Sequence, residues 1–150
     1  MNKFDLVTND EFLILVVGIG GCGCNAVNML HEMGANKHAS LVAINTDNAA
    51  LNHCTLDNKL LIGGNLTHGY GAGADPSVGL EAAKESRNVI LEYLQKSDFV
   101  ILVAGLGGGT GTGASPYIAE LANELGKPCI CVATLPFESE GHMRMDYAVQ

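Results

Sequence analysis

Gly107-Gly108-Gly109-Thr110-Gly111-Thr112-Gly113 follows the apolar run Phe99-Val100-Ile101-Leu102-Val103-Ala104 and precedes helical periodicity from Ser115 to Leu125. An apolar run of that length reads as a buried strand. A glycine-rich turn between a buried strand and a helix brings bare backbone N–H groups to a helix N-terminus. Unpaired amide donors and the positive end of the helix dipole together attract phosphate. Glycine suits the turn because a side chain would hold a ligand away from the backbone.

Two further glycine-rich segments share this setting. Gly18-Ile19-Gly20-Gly21-Cys22-Gly23 follows the apolar run Glu11 to Val17 and precedes a predicted helix from Asn25 to Met33 that Gly34 ends. The segment Gly63 to Gly73, predicted as a long loop, follows a brief strand at Lys59 to Ile62. The other predicted strands are Leu41 to Ile44, ending in Asn45-Thr46-Asp47, and Cys129 to Thr134. Short helices are expected at Asn48 to His53 and from Gly141 to Gln150, and one long helix from Pro76 to about Lys96 with Asp75 as its N-cap. Val78, Ala82, Val89, Ile90 and Leu94 are its expected inward positions. Strands that are apolar throughout and alternate with helices predict an α/β fold, a doubly wound, Rossmann-like, mostly parallel sheet covered on both faces. Ligands of such sheets bind outside the carboxyl ends of the strands, where all three glycine-rich segments can converge.

Composition narrows the function. The chain has 150 residues, 47% of them apolar, which suffices for one core. Residues 1–10 are polar and read as a flexible arm, leaving 11–150 as a single domain. No apolar run reaches membrane-spanning length, and the N-terminus lacks a signal-peptide pattern, so a cytoplasmic protein without direct membrane insertion is expected. A net charge of −8 with only eight Lys and Arg residues disfavours nucleic-acid binding. No Lys or Arg lies in the three glycine-rich segments, so a phosphate site must work through backbone N–H groups and a divalent cation. The five cysteines, Cys22, Cys24, Cys54, Cys129 and Cys131, read as free thiols. None of the five histidines has ligand-like company, and no metal-ligating residue is assigned.

Gly18 to Gly23 matches G-x-G-x-x-G, and Asp47 stands near the place of a dinucleotide fold's ribose-binding acid. That pair alone would suit an NAD-binding domain. A second phosphate cradle at Gly107 to Gly113 and a third at Gly69-Tyr70-Gly71-Ala72-Gly73 suit a di- or triphosphate held from several sides, and the absence of G-K-[ST] removes the ordinary P-loop. Gly107 to Gly113 resembles the tubulin-type signature, and the chain after residue 11 resembles the bacterial cell-division GTPases of the FtsZ family. Gly20 to Asn28, Ala43 to Asp47, Ile62 to Thr67 with Gly71 to Pro76, and Pro136 to Gly141 with Arg144 resemble its other nucleotide loops in order.

The resemblance implies the following roles. Gly20, Gly21, Cys22, Gly23, Cys24 and Asn25 line the phosphates, with Asn25 reaching toward guanine. Ala72 and Gly73 face the γ-phosphate, and Gly107, Gly108, Gly109, Thr110, Gly111, Thr112 and Gly113 wrap the α- and β-phosphates. Pro136, Glu140 and Arg144 stand on the ribose side, and Asn45 and Asp47 lie near the phosphates and Mg2+. Asp47 can equally cap the following helix, and Glu140 and Arg144 can equally be a surface ion pair. The implied ligand is GTP or GDP with Mg2+ held through phosphates and water. The implied partner is a second copy or an intact homologue in a head-to-tail filament at the division ring. Cys22 and Cys24 stand where the family usually has smaller residues, and Leu135 and Glu138-Ser139 also depart from it. The family continues beyond the point where this chain stops, with an N-x-D-x-x-D loop that promotes hydrolysis on the neighbouring subunit. No such pattern occurs here, so no catalytic residue is assigned and little turnover is expected of the chain alone. A regulator that caps filaments of an intact homologue, a nucleotide-free remnant and an NAD-binding domain are the alternatives.

Overall fold

The computed structural model describes residues 12–149, so the expected arm at 1–10 lies outside the described residues. Five strands form the sheet: β1 (Ile14–Ile19), β2 (Ser40–Asn45), β3 (Lys59–Leu61), β4 (Phe99–Gly105) and β5 (Cys129–Thr134). Every neighbouring pair is parallel, in the order β3-β2-β1-β4-β5. β1 is central, with Ile19 beside Ile44 on one side and Ala104 on the other. The chain leaves β1 in one direction to β2 and returns on the other side through β4, which opens a crevice at the carboxyl ends of β1 and β4.

The described residues form seven α-helices: α1 (Gly20–Glu32), α2 (Asn48–His53), α3 (Gly64–Thr67), α4 (Pro76–Glu85), α5 (Arg87–Gln95), α6 (Thr110–Glu124) and α7 (His142–Val149). One core layer joins Leu15, Val17, Ile19, Val100 and Leu102 of the strands to Ala82, Ile90, Leu94, Ile118 and Leu121 of α4, α5 and α6. The other joins Val16, Leu41 and Ala43 to Cys24, Val27 and Leu51 of α1 and α2. Each fully buried aliphatic side chain stabilises the fold by about 1.5–3 kcal/mol. α4 lies close along α6 because small residues face the contact. A Cβ on Gly79 would run into the Gly109 carbonyl, and one on Gly113 into the Pro76 carbonyl.

The structure departs from the sequence reading in five places. α1 begins at Gly20 and α6 at Thr110, so much of both glycine-rich segments is the first turn of a helix rather than a preceding loop. The segment after β3 contains the short α3, whose N-terminal amides at Asn65 and Leu66 donate to the Glu85 carboxylate at 3.1 Å each. The expected helix 76–96 breaks at Ser86 (φ −96, ψ 14), whose hydroxyl accepts from Gly63 N at 3.0 Å. Beyond that break Val89 is exposed rather than inward. β5 is not covered on both faces: Ile130 and Val132 are more than half exposed.

Candidate functional site

The starts of α1 and α6 lie side by side at the carboxyl edge of the sheet. Gly20 turns the chain from β1 into α1 at φ +71, a conformation that glycine adopts without strain, and its missing Cβ would stand 2.9 Å from Gly111 N. Gly107 makes the corresponding turn out of β4 at φ +95, and its N–H donates to Thr112 Oγ1 at 2.8 Å.

Neither helix start is capped. Ile19 and Gly109, the N-cap residues of α1 and α6, make no side-chain cap bond, and neither first turn holds an acidic residue. The neighbouring α2 and α4 differ. Asp47 Oδ1 accepts from Ala50 N at 3.0 Å, and Asp75 Oδ1 accepts from Ser77 N at 2.8 Å. The Ser77 hydroxyl and amide hold the Asp75 carboxyl below its ordinary range. Two helices thus carry anionic caps, while the two between them present open amides and unneutralised dipoles, the arrangement an anion requires.

Those amides face a cavity of about 520 Å3, within the size range of small-molecule sites. Gly20, Gly21, Cys22, Gly108, Gly109, Thr110 and Gly111 line one end, and Pro136, Phe137, Glu140 and Arg144 the other. Of the lining glycines, only Gly21 and Gly108 could carry a Cβ that meets no atom within 4 Å, so their missing side chains leave open space. Glu140 Oε2 accepts from Arg144 Nη1 at 2.8 Å and Oε1 from Phe137 N at 2.9 Å. The Phe137 amide, with Arg144 beside it, holds the Glu140 carboxyl below its ordinary range. A somewhat larger cavity, about 660 Å3, lies at the amino ends of β1 and β2 beside Lys37 and His38. It has no glycine-rich turn and stands at the wrong end of a parallel sheet for the chemistry described here.

The remaining expected site residues are placed as follows. Gly23 is buried, and a Cβ there would strike the Val103 carbonyl. Cys24 is turned away from the cavity into the core, its thiol 3.4 Å from the Ile44 carbonyl, and burial pushes it up to about 12, with Cys54 contributing. Asn25 is exposed on α1 outside the cavity lining. Asn45 is buried, its Oδ1 accepting from Thr46 N at 2.9 Å. Asp47, Ala72 and Gly73 stand on the flank beyond Gly109, where Ala72 Cβ would lie 2.8 Å from a Cβ on Gly109. Thr112 and Gly113 lie behind the lining, the latter against α4. Gly105, Leu106, Thr134, Leu135 and Phe137 also line the cavity, outside the expected set. Their position at or just after the carboxyl ends of β4 and β5 is the signal that could have found them. The described residues contain no group of three or more His, Cys, Asp or Glu suited to a metal ion. A Mg2+ ion placed here would need oxygens from a bound ligand and from water, a mode that Mg2+ commonly takes.

Residues 13–150 match the family described as Tubulin/FtsZ family, GTPase domain. The chain is 50% identical over 131 residues to cell division protein FtsZ 1 of Pyrococcus woesei, covering 87% of this chain and 36% of that protein. It is 47% identical over 135 residues to the FtsZ 1 of Thermococcus kodakarensis, covering 90% and 36%. These relatives are archaeal, whereas the sequence reading pointed to bacterial ones, and the chain spans little more than a third of their length. Among solved structures, an empty FtsZ dimer from M. jannaschii superimposes with a TM-score of 0.89 at 46% identity, covering 94% of this chain and 41% of that one. CetZ2 of Haloferax volcanii, solved as a GTPγS-bound protofilament, gives 0.81 at 26% identity, covering 91% and 44%.

Proposed function

The chain belongs to the tubulin/FtsZ family through its GTPase domain, and from that premise we propose that it binds GTP or GDP in the cavity above α1 and α6, as the nucleotide-binding part of a filament-forming cell-division protein of the cytoplasm. The observation that carries this reading is the pair of uncapped, acid-free helix starts meeting over one cavity. Phosphates seat on the amides of Gly20 to Cys22 and Gly108 to Gly111. The nucleoside lies toward Pro136, Phe137, Glu140 and Arg144, and Mg2+ enters on the phosphates near Asn45 and Asp47. Head-to-tail contact between copies, or with an intact homologue, covers the nucleotide in a filament. The family match and a relative captured as a protofilament support this.

Hydrolysis needs a group that orients the attacking water. Glu140 is the one acid lining the cavity among the described residues, and both its oxygens are engaged. Glu140 also lies at the nucleoside end, and this reading assigns the attacking water to a group supplied across the contact with a neighbouring subunit. The direct test is nucleotide content after denaturation, followed by calorimetric titration with GTP, GDP, ATP and NAD. Guanine nucleotides are expected to bind and the others to fail. NAD binding in preference to GTP would overturn the reading.

A further inference from the structure

Thr46 lines no part of the cavity and is fully buried, yet it joins the start of α6 to the segment after β3. Its hydroxyl lies 2.7 Å from the hydroxyl of Thr110, the first residue of α6. Its carbonyl accepts from Gly71 N at 3.1 Å and from Thr67 Oγ1 at 3.3 Å. The next residues continue the attachment: Asp47 forms an isolated antiparallel bridge with Tyr70, and Asn48 N donates to Gly69 O at 2.9 Å.

The segment held this way is the most strained of the described chain. His68, Gly69, Gly71, Gly73 and Ala74 all have positive φ, and His68 (φ 52) and Ala74 (φ 62) are the only non-glycine residues so placed among the described residues. Such backbone persists only where its surroundings hold it. On one side Thr46 holds it. On the other it abuts the signature turn, since a Cβ on Gly109 would meet Ala72 Cβ at 2.8 Å and Asp75 N at 2.9 Å. Ala72 and Gly73 line no part of the cavity, but Ala72 abuts Gly109 at its edge, so a ligand that extends past Gly109 meets this segment next.

We infer that Thr46 is the positioning residue that sets the 68–75 segment against the start of α6, so that its hydroxyl governs the preference for a nucleoside triphosphate over a diphosphate. This rests on the nucleotide reading proposed above. A diphosphate ends at the backbone amides of the two helix starts, and Thr46 touches α6 there only through the Thr110 side chain. A third phosphate extends to the segment whose placement depends on Thr46. Replacing the Thr46 hydroxyl by a methyl keeps the shape, unties the two parts and leaves Thr110 Oγ1 without its partner.

The test measures dissociation constants for GTPγS and GDP with Mg2+ in wild type, Thr46→Val and Thr46→Ser, with thermal melts confirming folding. Thr46→Val is expected to weaken GTPγS by about tenfold, the effect of one lost hydrogen bond, while GDP affinity changes less than about twofold. Thr46→Ser is expected to retain the wild-type ratio. Should Thr46→Val not fold, Thr67→Val, which removes a hydroxyl from the Thr46 carbonyl, is expected to give the same selective loss. Equal weakening of both nucleotides, or an unchanged ratio, overturns the inference. A wild-type chain that binds neither nucleotide overturns the proposed function instead.

Discussion

Adding one methyl group at Gly108 or at Gly109 separates folding from binding, because these adjacent glycines are bare for opposite reasons. A Cβ on Gly109 would stand 2.8 Å from Ala72 Cβ, 2.9 Å from Asp75 N and 3.0 Å from Asp75 O. Gly109 has φ −77, so an alanine there carries no backbone strain, and the whole penalty is overpacking. Overpacking of this kind costs about 1–3 kcal/mol. In a domain of this size each kcal/mol lowers the melting temperature by about 2–4 °C. A Cβ on Gly108 meets nothing within 4 Å and has no positive φ, so Gly108→Ala leaves the melting temperature unchanged or slightly raised through loss of unfolded-state freedom. Its methyl occupies the space assigned to phosphate. Loss of one amide bond to a charged ligand, about 1.5–3 kcal/mol, weakens GDP by roughly ten- to hundredfold. Differential scanning fluorimetry and calorimetric titration of the two variants check both halves. If Gly108→Ala melts normally and binds GDP as tightly as wild type, phosphate does not ride on that amide and the reasoning about open glycines is wrong.

Three other outcomes are expected. Cys22 and Cys131 are both exposed, but only Cys22 lines the cavity, so GDP should slow alkylation of Cys22 by about the factor 1 + [GDP]/Kd and leave Cys131 untouched. Peptide mass spectrometry reads this, and equal protection of both or of neither contradicts the site. Cys24 keeps its proton in the folded state up to about 12, against an ordinary value of 9.0, so the unfolded chain deprotonates first. Its contribution to stability is complete below about pH 9 and declines toward pH 12; urea midpoints should fall more steeply with alkaline pH in wild type than in Cys24→Ala, and parallel curves would refute it. Asp47→Ala should destabilise the fold by about 1 kcal/mol through loss of the α2 cap. Asp47→Asn should restore the melting temperature yet weaken Mg2+-dependent GTP binding, and unaltered Mg2+ dependence would leave Asp47 a cap alone.

The sheet was legible from sequence because buried parallel strands announce themselves as apolar runs, and Cys129 to Thr134 is placed without error. So is α2, whose capping Asp47 and short length leave little freedom. The starts of α1 and α6 were not legible, since glycine reads as a helix breaker and only tertiary contact with the other helix start keeps Gly20 and Gly111 together. The break at Ser86 hides within continuous helical periodicity, and the bond that its hydroxyl accepts from Gly63 N joins residues 23 apart in sequence. Seven of the fifteen residues that line the cavity lie in the glycine-rich segments. That the Cys24 thiol enters the core was not legible, because proximity in sequence to a glycine-rich turn says nothing about which face of the helix a side chain takes.

The uncapped starts of α1 and α6 bear on how such a cradle can be controlled. Peptide amides neither titrate nor accept acetyl or methyl groups, so the donors themselves stay constant across the physiological pH range. Scanning charged side chains for the anion contact would pass over it, because its attraction is built from peptide dipoles in a chain that is acidic overall. Control must then come from whatever competes for the cleft or reshapes its rim.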